Sequence, residues 1–259
     1  MVNSVHFSNH TGYAAGFEGD VLKGDQLRAI LSGLSRNELL QSGHLLTGYI
    51  GSESFLTAVL DVLKTMRSKG PVRFVCDPVL GDKGKFYVPQ ELVPLYRSKV
   101  IPLADVLTPN QFEVEQLTGV TILSLADARM ACDLLHDMGP SLVVITSMEL
   151  KEAAPRTMTI LASQRTANKS CVWKVDCPVL PGHYTGTGDL CASLLLAHTA
   201  MNPDDLPGAL AKVVNTMHSV ITRTNASAGE SVQSRELRLI QSKRDIEDPP
   251  VTLKAERLV

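Results

Sequence analysis

The residues best placed to do chemistry are Thr185-Gly186-Thr187-Gly188-Asp189, which run directly into the apolar stretch LCASLLLAHTA. Two glycines allow backbone amides to come close to a ligand. A buried helix starting there presents free N–H groups and the positive end of its dipole to an anion. Asp189 falls in the first turn of that helix, where it serves the ligand or merely caps the helix. No GxxxxGK[ST] occurs in the chain, so this segment is not a P-loop.

Three further segments carry polar groups at suggestive spacings. In Cys76-Asp77-Pro78-Val79-Leu80-Gly81-Asp82, two carboxylates leave a strand for a turn. They suit a cation with its water shell, or the steering of phosphates; Asp, Pro and Gly also favour turns for their own sake. In Asn110-Gln111-Phe112-Glu113, Asn110 and Glu113 are three apart and share a helix face. Oxygen donors at a helix start can organise hydrated Mg²⁺, and a solvated helix face is the plain alternative. Ser8-Asn9-His10-Thr11-Gly12-Tyr13 follows the opening strand and fits a small-molecule pocket or a simple loop. Tyr49, in Thr47-Gly48-Tyr49, can stack on a flat ligand or be an ordinary half-buried tyrosine. His10 is read as a surface or structural residue.

These segments need a scaffold to bring them together. Strand-like runs rich in Val, Ile, Leu and Phe occur at Val2–Phe7, His44–Tyr49, Val72–Asp77, Leu142–Thr146, Thr157–Ala162 and Cys171–Asp176. Amphipathic helices alternate with them. One follows Ser52 with Phe55, Leu56, Val59, Leu60, Leu63 and Met66 on one face; another carries Leu206, Leu210, Val213, Val214, Met217, Val220 and Ile221. Asn202-Pro203 is expected to cap and open the second. Thr108 is expected to cap a helix with Pro109 at its first position and Gln111 at its third, and Gly119 to end it. Strands alternating with helices predict an α/β fold with a parallel sheet covered on both faces, in one domain spanning 1–259. Active sites in such sheets gather beyond the carboxyl ends of the strands, where Tyr49, Asp77 and Thr146 fall.

Composition narrows the functions. The 259 residues carry 25 Lys+Arg and 27 Asp+Glu, a formal net charge of -2 that argues against a nucleic-acid protein held by phosphate attraction. With 44% hydrophobic and 20% charged residues the chain is globular rather than disordered. No apolar run reaches the ~18 residues of a membrane span, and the first residues do not read as a signal peptide. The five cysteines form no CxxC pair, which predicts a reduced, cytosolic chain without a structural zinc site; Cys76 and Cys191 are expected to be buried.

Taken together, VNSVHFSNHTGY, LLTGY, CDPVLGDK, YVP, PLADVLTPNQFEVEQLTG, MGPSLVVITS, GTGD and SKRDIEDP resemble the ribokinase superfamily, and more closely the pyridoxal kinases of animals. The order of the segments is more specific than any one of them. The resemblance implies a ribokinase-like α/β fold, with a central mostly parallel sheet flanked by helices. It implies ATP-dependent phosphorylation of the hydroxymethyl group of pyridoxal, pyridoxine or pyridoxamine. It also implies Mg²⁺ (or Zn²⁺), a monovalent cation (K⁺ or Na⁺), and a cytosolic homodimer.

By resemblance, Asp189 is the catalytic base, and Gly186, Thr187 and Gly188 form the anion hole. Thr11 and Tyr49 contact the pyridoxal ring, and Val5 and Phe7 form its apolar wall. Asp77, Thr146, Ser147 and Tyr87 fall on the nucleotide side. Asn110 and Glu113 match a metal-organising Asn-x-x-Glu element. Asp82, Thr108 and Thr146 fall where ATP and cations are met. The family's opening strand and its Ser-rich turn have no counterpart here, and Asp82–Tyr87 is a shorter loop than in vertebrate members. Two other readings stay open: a non-catalytic, N-terminally truncated isoform or gene-model product that binds at most nucleotide or a partner subunit, and a superfamily kinase for another substrate such as hydroxymethylpyrimidine.

Overall fold

A computed structural model describes residues 1–167, 169–229 and 231–258. Its centre is a seven-stranded sheet whose order, edge to edge, is β11-β10-β9-β8-β7-β4-β3. The strands are β3 (His44–Thr47), β4 (Arg73–Cys76), β7 (Val106–Leu107), β8 (Leu142–Met148), β9 (Thr157–Thr166), β10 (Lys169–Pro178) and β11 (Glu256–Arg257). Neighbours from β3 to β8 run parallel, whereas β8 through β11 pair antiparallel. The sheet is thus mixed rather than parallel throughout. Alternation of apolar residues encodes which face is buried but not the direction of the partner strand.

Successive residues of these strands feed two cores. Phe74, Cys76, Val143 and Ile145 join one hydrophobic cluster; Val75, Val106, Leu142 and Val144 join the other. On the first face pack α1 (Gly24–Arg36), α2 (Glu53–Arg67), α4 (Gln111–Thr118) and α5 (Leu125–Met138); on the second pack α6 (Thr187–Met201) and α7 (Leu206–Ala226). The remaining helices, α3 (Leu92–Leu95) and α8 (Lys243–Glu247), are short. All five cysteines are buried and unpaired.

Val5–Phe7 (β1) does not enter the main sheet. It pairs with β2 (Gly19–Val21) as a separate antiparallel ribbon. Two more strands, β5 (Gly81–Asp82) and β6 (Lys85–Phe86), form a tight hairpin.

Helix caps follow local hydrogen-bond chemistry, in two cases shifted from the sequence expectation. Ser52 caps α2 by accepting from the Phe55 amide. For α4 the cap is Asn110, not Thr108. Thr108 and Gln111 have the same spacing, but the Thr108 hydroxyl makes no hydrogen bond of good geometry, whereas Asn110 and Glu113 form a reciprocal capping box. For α7 the cap is Asp205 rather than Asn202, with Pro207 near the start, because the Asp205 carboxylate reaches the Gly208 amide at 2.9 Å. Gly119 closes α4 in a left-handed conformation, as expected.

The packing sets the cost of damage. Phe74 is fully buried on β4, so Phe74→Ala is expected to destabilise by about 3–5 kcal/mol. Ser124 caps α5 with a capping box, and Ser124→Ala is expected to cost about 1 kcal/mol. Denaturant unfolding of the two variants checks both magnitudes and their order.

Candidate active site

Gly186 caps α6 with φ +84°, a conformation that favours glycine, and Thr187, Gly188 and Asp189 form the first turn. No side chain caps this helix. Asp189 therefore does not act as a cap. Its carboxylate faces a cleft, and partial burial pushes its pKa up. Gly48 keeps space around it, and Gly188 lies against Asp77. A Cβ on Gly48 would lie 3.0 Å from Asp189 Oδ1, and one on Gly188 would lie 3.4 Å from Asp77 Oδ2. The loop before α6 is pinned by buried Tyr184, whose hydroxyl donates to the Pro181 carbonyl at 2.7 Å.

Beyond β4, Asp77 is buried, and its pKa is driven well up by desolvation and then by the charges of Glu113 and Asp189. Thr108, buried beside it, pulls the pKa part of the way back, although its hydroxyl makes no hydrogen bond of good geometry. Glu113 is also buried. Its Oε1 accepts from the Leu80 amide at 2.9 Å and more weakly from Gly81 at 3.5 Å; its Oε2 accepts from the Asn110 amide at 2.8 Å. The Asn110 side chain donates to the Gly81 carbonyl at 2.7 Å. This carboxylate thus ties the strand β4 exit, the start of α4 and hairpin β5–β6 into one piece. Burial pushes its pKa up to about 7, against the pull of those amides.

The β1–β2 ribbon brings Val5, Phe7 and Thr11 to the same cleft, facing Tyr49 and the Gly186–Asp189 turn. His10 also lines it. Its Nδ1 accepts from the Gly12 amide at 3.1 Å, which leaves the proton on Nε2, 3.2 Å from Glu236. The Tyr13 hydroxyl donates to the same Glu236 at 2.9 Å. His10 is thus a structural residue that sits at the cavity, tethering the ribbon to the segment after α7.

The cleft measures about 1660 Å³. That exceeds the ~300–1,000 Å³ of a typical single-ligand site and is roomy enough for two substrates. Every sequence-predicted site residue lines it: Val5, Phe7, Thr11, Tyr49, Asp77, Asp82, Tyr87, Thr108, Asn110, Glu113, Thr146, Ser147, Gly186, Thr187, Gly188 and Asp189. Sequence reasoning missed the clearance supplied by Gly48, the tether from Glu236, and an apolar wall that includes Met158, Leu180, Val214 and Met217. The helical spacing of α7 marked Val214 and Met217 as buried, but a core face and a pocket wall read alike in sequence.

Among the described residues, no three His, Cys, Asp or Glu side chains cluster in a way that could hold a metal ion. Both Glu113 oxygens are engaged by backbone amides. The free oxygen donors nearby, Asp77, Asp82 and the unpartnered Thr108 hydroxyl, suit a hydrated Mg²⁺ that arrives with phosphates, since Mg²⁺ keeps waters and uses one or two carboxylates. Among the described residues, no helix is long and apolar enough to cross a membrane.

An acid in the first turn of a glycine-opened helix, beyond the carboxyl ends of a mixed α/β sheet, defines a ribokinase-like phosphotransferase. The phosphomethylpyrimidine kinase family model matches residues 25–234. The chain is 47% identical to the pyridoxal kinase of Arabidopsis thaliana over 99% of its own length and 84% of that protein's. It is 45% identical to the human pyridoxal kinase, over 98% and 87%. A solved pyridoxal kinase from Leishmania donovani, in complex with ADP and pyridoxamine, superposes with a TM-score of 0.91 at 31% identity, covering 100% of this chain and 88% of that one. The chain belongs to the pyridoxal kinase family.

The raised pKa of Glu113 has a measurable consequence. The folded chain keeps this proton up to about pH 7, whereas an unfolded glutamate releases it near 4.5. The group's contribution to stability is full below the lower value and is lost as pH rises to the higher one. Relative to wild type, Glu113→Gln should therefore gain on the order of 2 kcal/mol of stability between about pH 5 and about pH 8. Urea unfolding across that range measures it; a pH-independent difference would contradict the burial of a titrating carboxyl.

Proposed function

We propose that the chain transfers the γ-phosphoryl group of ATP to the 5′-hydroxymethyl group of pyridoxal, pyridoxine or pyridoxamine. With pyridoxal the product is pyridoxal 5′-phosphate, the outcome of vitamin B6 salvage. The observation that carries this reading is the placement of Asp189. It is a carboxylate with no capping duty and a raised pKa, at a helix N-terminus inside a cleft large enough for a nucleotide and a ring. The relatives named as pyridoxal kinases and the L. donovani complex support the substrate pair.

Phosphoryl transfer asks mainly for positioning and charge stabilisation. Val5, Phe7 and Tyr49 offer an apolar, aromatic surface for the flat pyridine ring, with Thr11 as a polar contact. Asp189 accepts the hydroxymethyl proton as the oxygen attacks phosphorus. Desolvation raises the pKa of Asp189, which makes it a stronger base than an aspartate of ordinary pKa. The amides of Thr187, Gly188 and Asp189, with the α6 dipole, meet the charge on the transferring oxygens without reorganising. On the nucleotide side we assign Asp77, Asn110, Thr146, Ser147 and Tyr87, with Asp82, Thr108 and Thr146 around the cations and Glu113, its oxygens held by the Leu80 and Asn110 amides, behind them. Mg²⁺ (or Zn²⁺) and a monovalent ion (K⁺ or Na⁺), when bound, neutralise phosphate charge. The oxygen-rich donor set favours Mg²⁺. We further assign the protein to the cytosol, as a homodimer.

Asp189→Asn keeps the shape and removes the base. Its turnover is expected to fall about a hundred- to ten-thousandfold while MgATP binding, measured by calorimetry, is retained. Near-normal turnover in that variant would remove the base assignment.

A further inference from the structure

Six carboxylates line the cleft: Asp77, Asp82, Glu113, Glu115, Glu149 and Asp189. A nucleoside triphosphate brings several more negative charges. A metal ion and the α6 N-terminus offset part of this. Among the described residues, only one lysine or arginine side chain lines the cleft, that of Lys83.

The backbone around Lys83 is unusual. Asp82 pairs with Lys85, so Lys83 and Gly84 form the whole two-residue loop between β5 and β6. Their φ angles are 47° and 79°. Two positive values mark a turn whose first position ordinarily takes asparagine, aspartate or glycine. Lysine there is strained and contributes nothing to the turn. Local turn chemistry therefore does not account for it, whereas a long cation at the tip of a hairpin on the cleft does.

Its present partner is weak. Lys83 Nζ lies 3.6 Å from Glu149 Oε1, and the two side chains are 78% and 71% exposed. A solvated pair of this kind contributes little, and a multiply charged phosphate competes with a single carboxylate on favourable terms. We propose that Lys83 contacts the phosphates of the bound nucleotide, exchanging Glu149 for them when nucleotide enters. This rests on the kinase reading of the same cleft. It adds a residue on the Asp82–Tyr87 segment that brings the chain's own positive charge to an otherwise acidic cleft.

Three variants test it, each checked for an unchanged melting temperature: Lys83→Asn, which suits the turn better than lysine, Lys83→Arg and Glu149→Gln. MgATP binding is measured by calorimetry, alongside the KM values for ATP and pyridoxal. Lys83→Asn should weaken MgATP about tenfold and leave the KM for pyridoxal unchanged. Lys83→Arg should restore most of the affinity. Glu149→Gln should tighten MgATP about twofold by removing the competitor, an effect that loss of a merely structural ion pair does not produce. MgATP affinity in Lys83→Asn within about twofold of wild type, or an equal loss for pyridoxal, overturns the assignment. Binding is read without turnover, so the two claims fail separately. A wild-type chain that binds MgATP but transfers nothing sinks the kinase reading and leaves Lys83 to the binding comparison. Normal turnover with an unaltered Lys83→Asn sinks Lys83 alone. A wild-type chain that does not bind MgATP overturns both.

Discussion

Three backbone amides, from Leu80, Gly81 and Asn110, converge on the buried carboxylate of Glu113. This is the constraint on which the site depends. The exit of β4 runs straight into the β5–β6 hairpin, the first turn of α4 comes about 25 residues later, and each carries groups that line the cleft. A buried charge or proton needs its full set of partners, because leaving any of those amides unpaired costs about 1–3 kcal/mol. The carboxylate therefore fixes Asp82 and Asn110 relative to Asp77. Its own raised pKa, about 7, measures the cost of holding it out of water.

The same economy runs through the other two acids. Asp77 and Asp189 both line the cleft, each has its pKa raised by desolvation, and the charge of Asp189 raises that of Asp77 further. Carboxylates so placed repel one another, and cations or hydrogen-bond donors on the incoming ligand relieve that repulsion. The helix N-terminus beside them favours negative charge. Gly186 to Asp189 thus place a carboxylate and free backbone amides on one helix turn, where the proposed base and anion hole would be held together. Gly48, just beyond the end of β3, completes the arrangement by leaving room for the Asp189 carboxylate.

Much of this was legible in the sequence, for identifiable reasons. Alternating apolar runs gave the strands, since Phe74-Val75-Cys76 and Leu142 to Ile145 send successive side chains to opposite cores. Glycine-rich GTGD before an apolar helix marked the start of α6, which does line the cleft. Residues separated by the whole chain came together at the cleft as the resemblance implied. Other features were not legible. The antiparallel pairing of β9 and β10 depends on neighbours that the alternation does not name. The cap of α4 lies at Asn110, where Glu113 closes a reciprocal box, although Thr108 and Gln111 offer the same spacing. The clearance at Gly48 and the tether of His10 and Tyr13 to Glu236 are long-range contacts with no local signature.

The family assignment rests on similarity across nearly the whole chain, and the physical account explains why the matched residues must lie where they do. Val5, Phe7, Thr11 and Tyr49 line the part of the cleft proposed for the ring, and both pyridoxal and a hydroxymethylpyrimidine present a flat ring with a hydroxymethyl group. The most direct measurement is product formation by the purified chain with MgATP, offered pyridoxal and hydroxymethylpyrimidine side by side, with phosphorylated products identified by mass spectrometry. The account predicts pyridoxal 5′-phosphate and an equal amount of ADP, with pyridoxal the preferred acceptor. Folded protein that binds MgATP but forms no phosphorylated vitamer, or that phosphorylates hydroxymethylpyrimidine in preference, would contradict it.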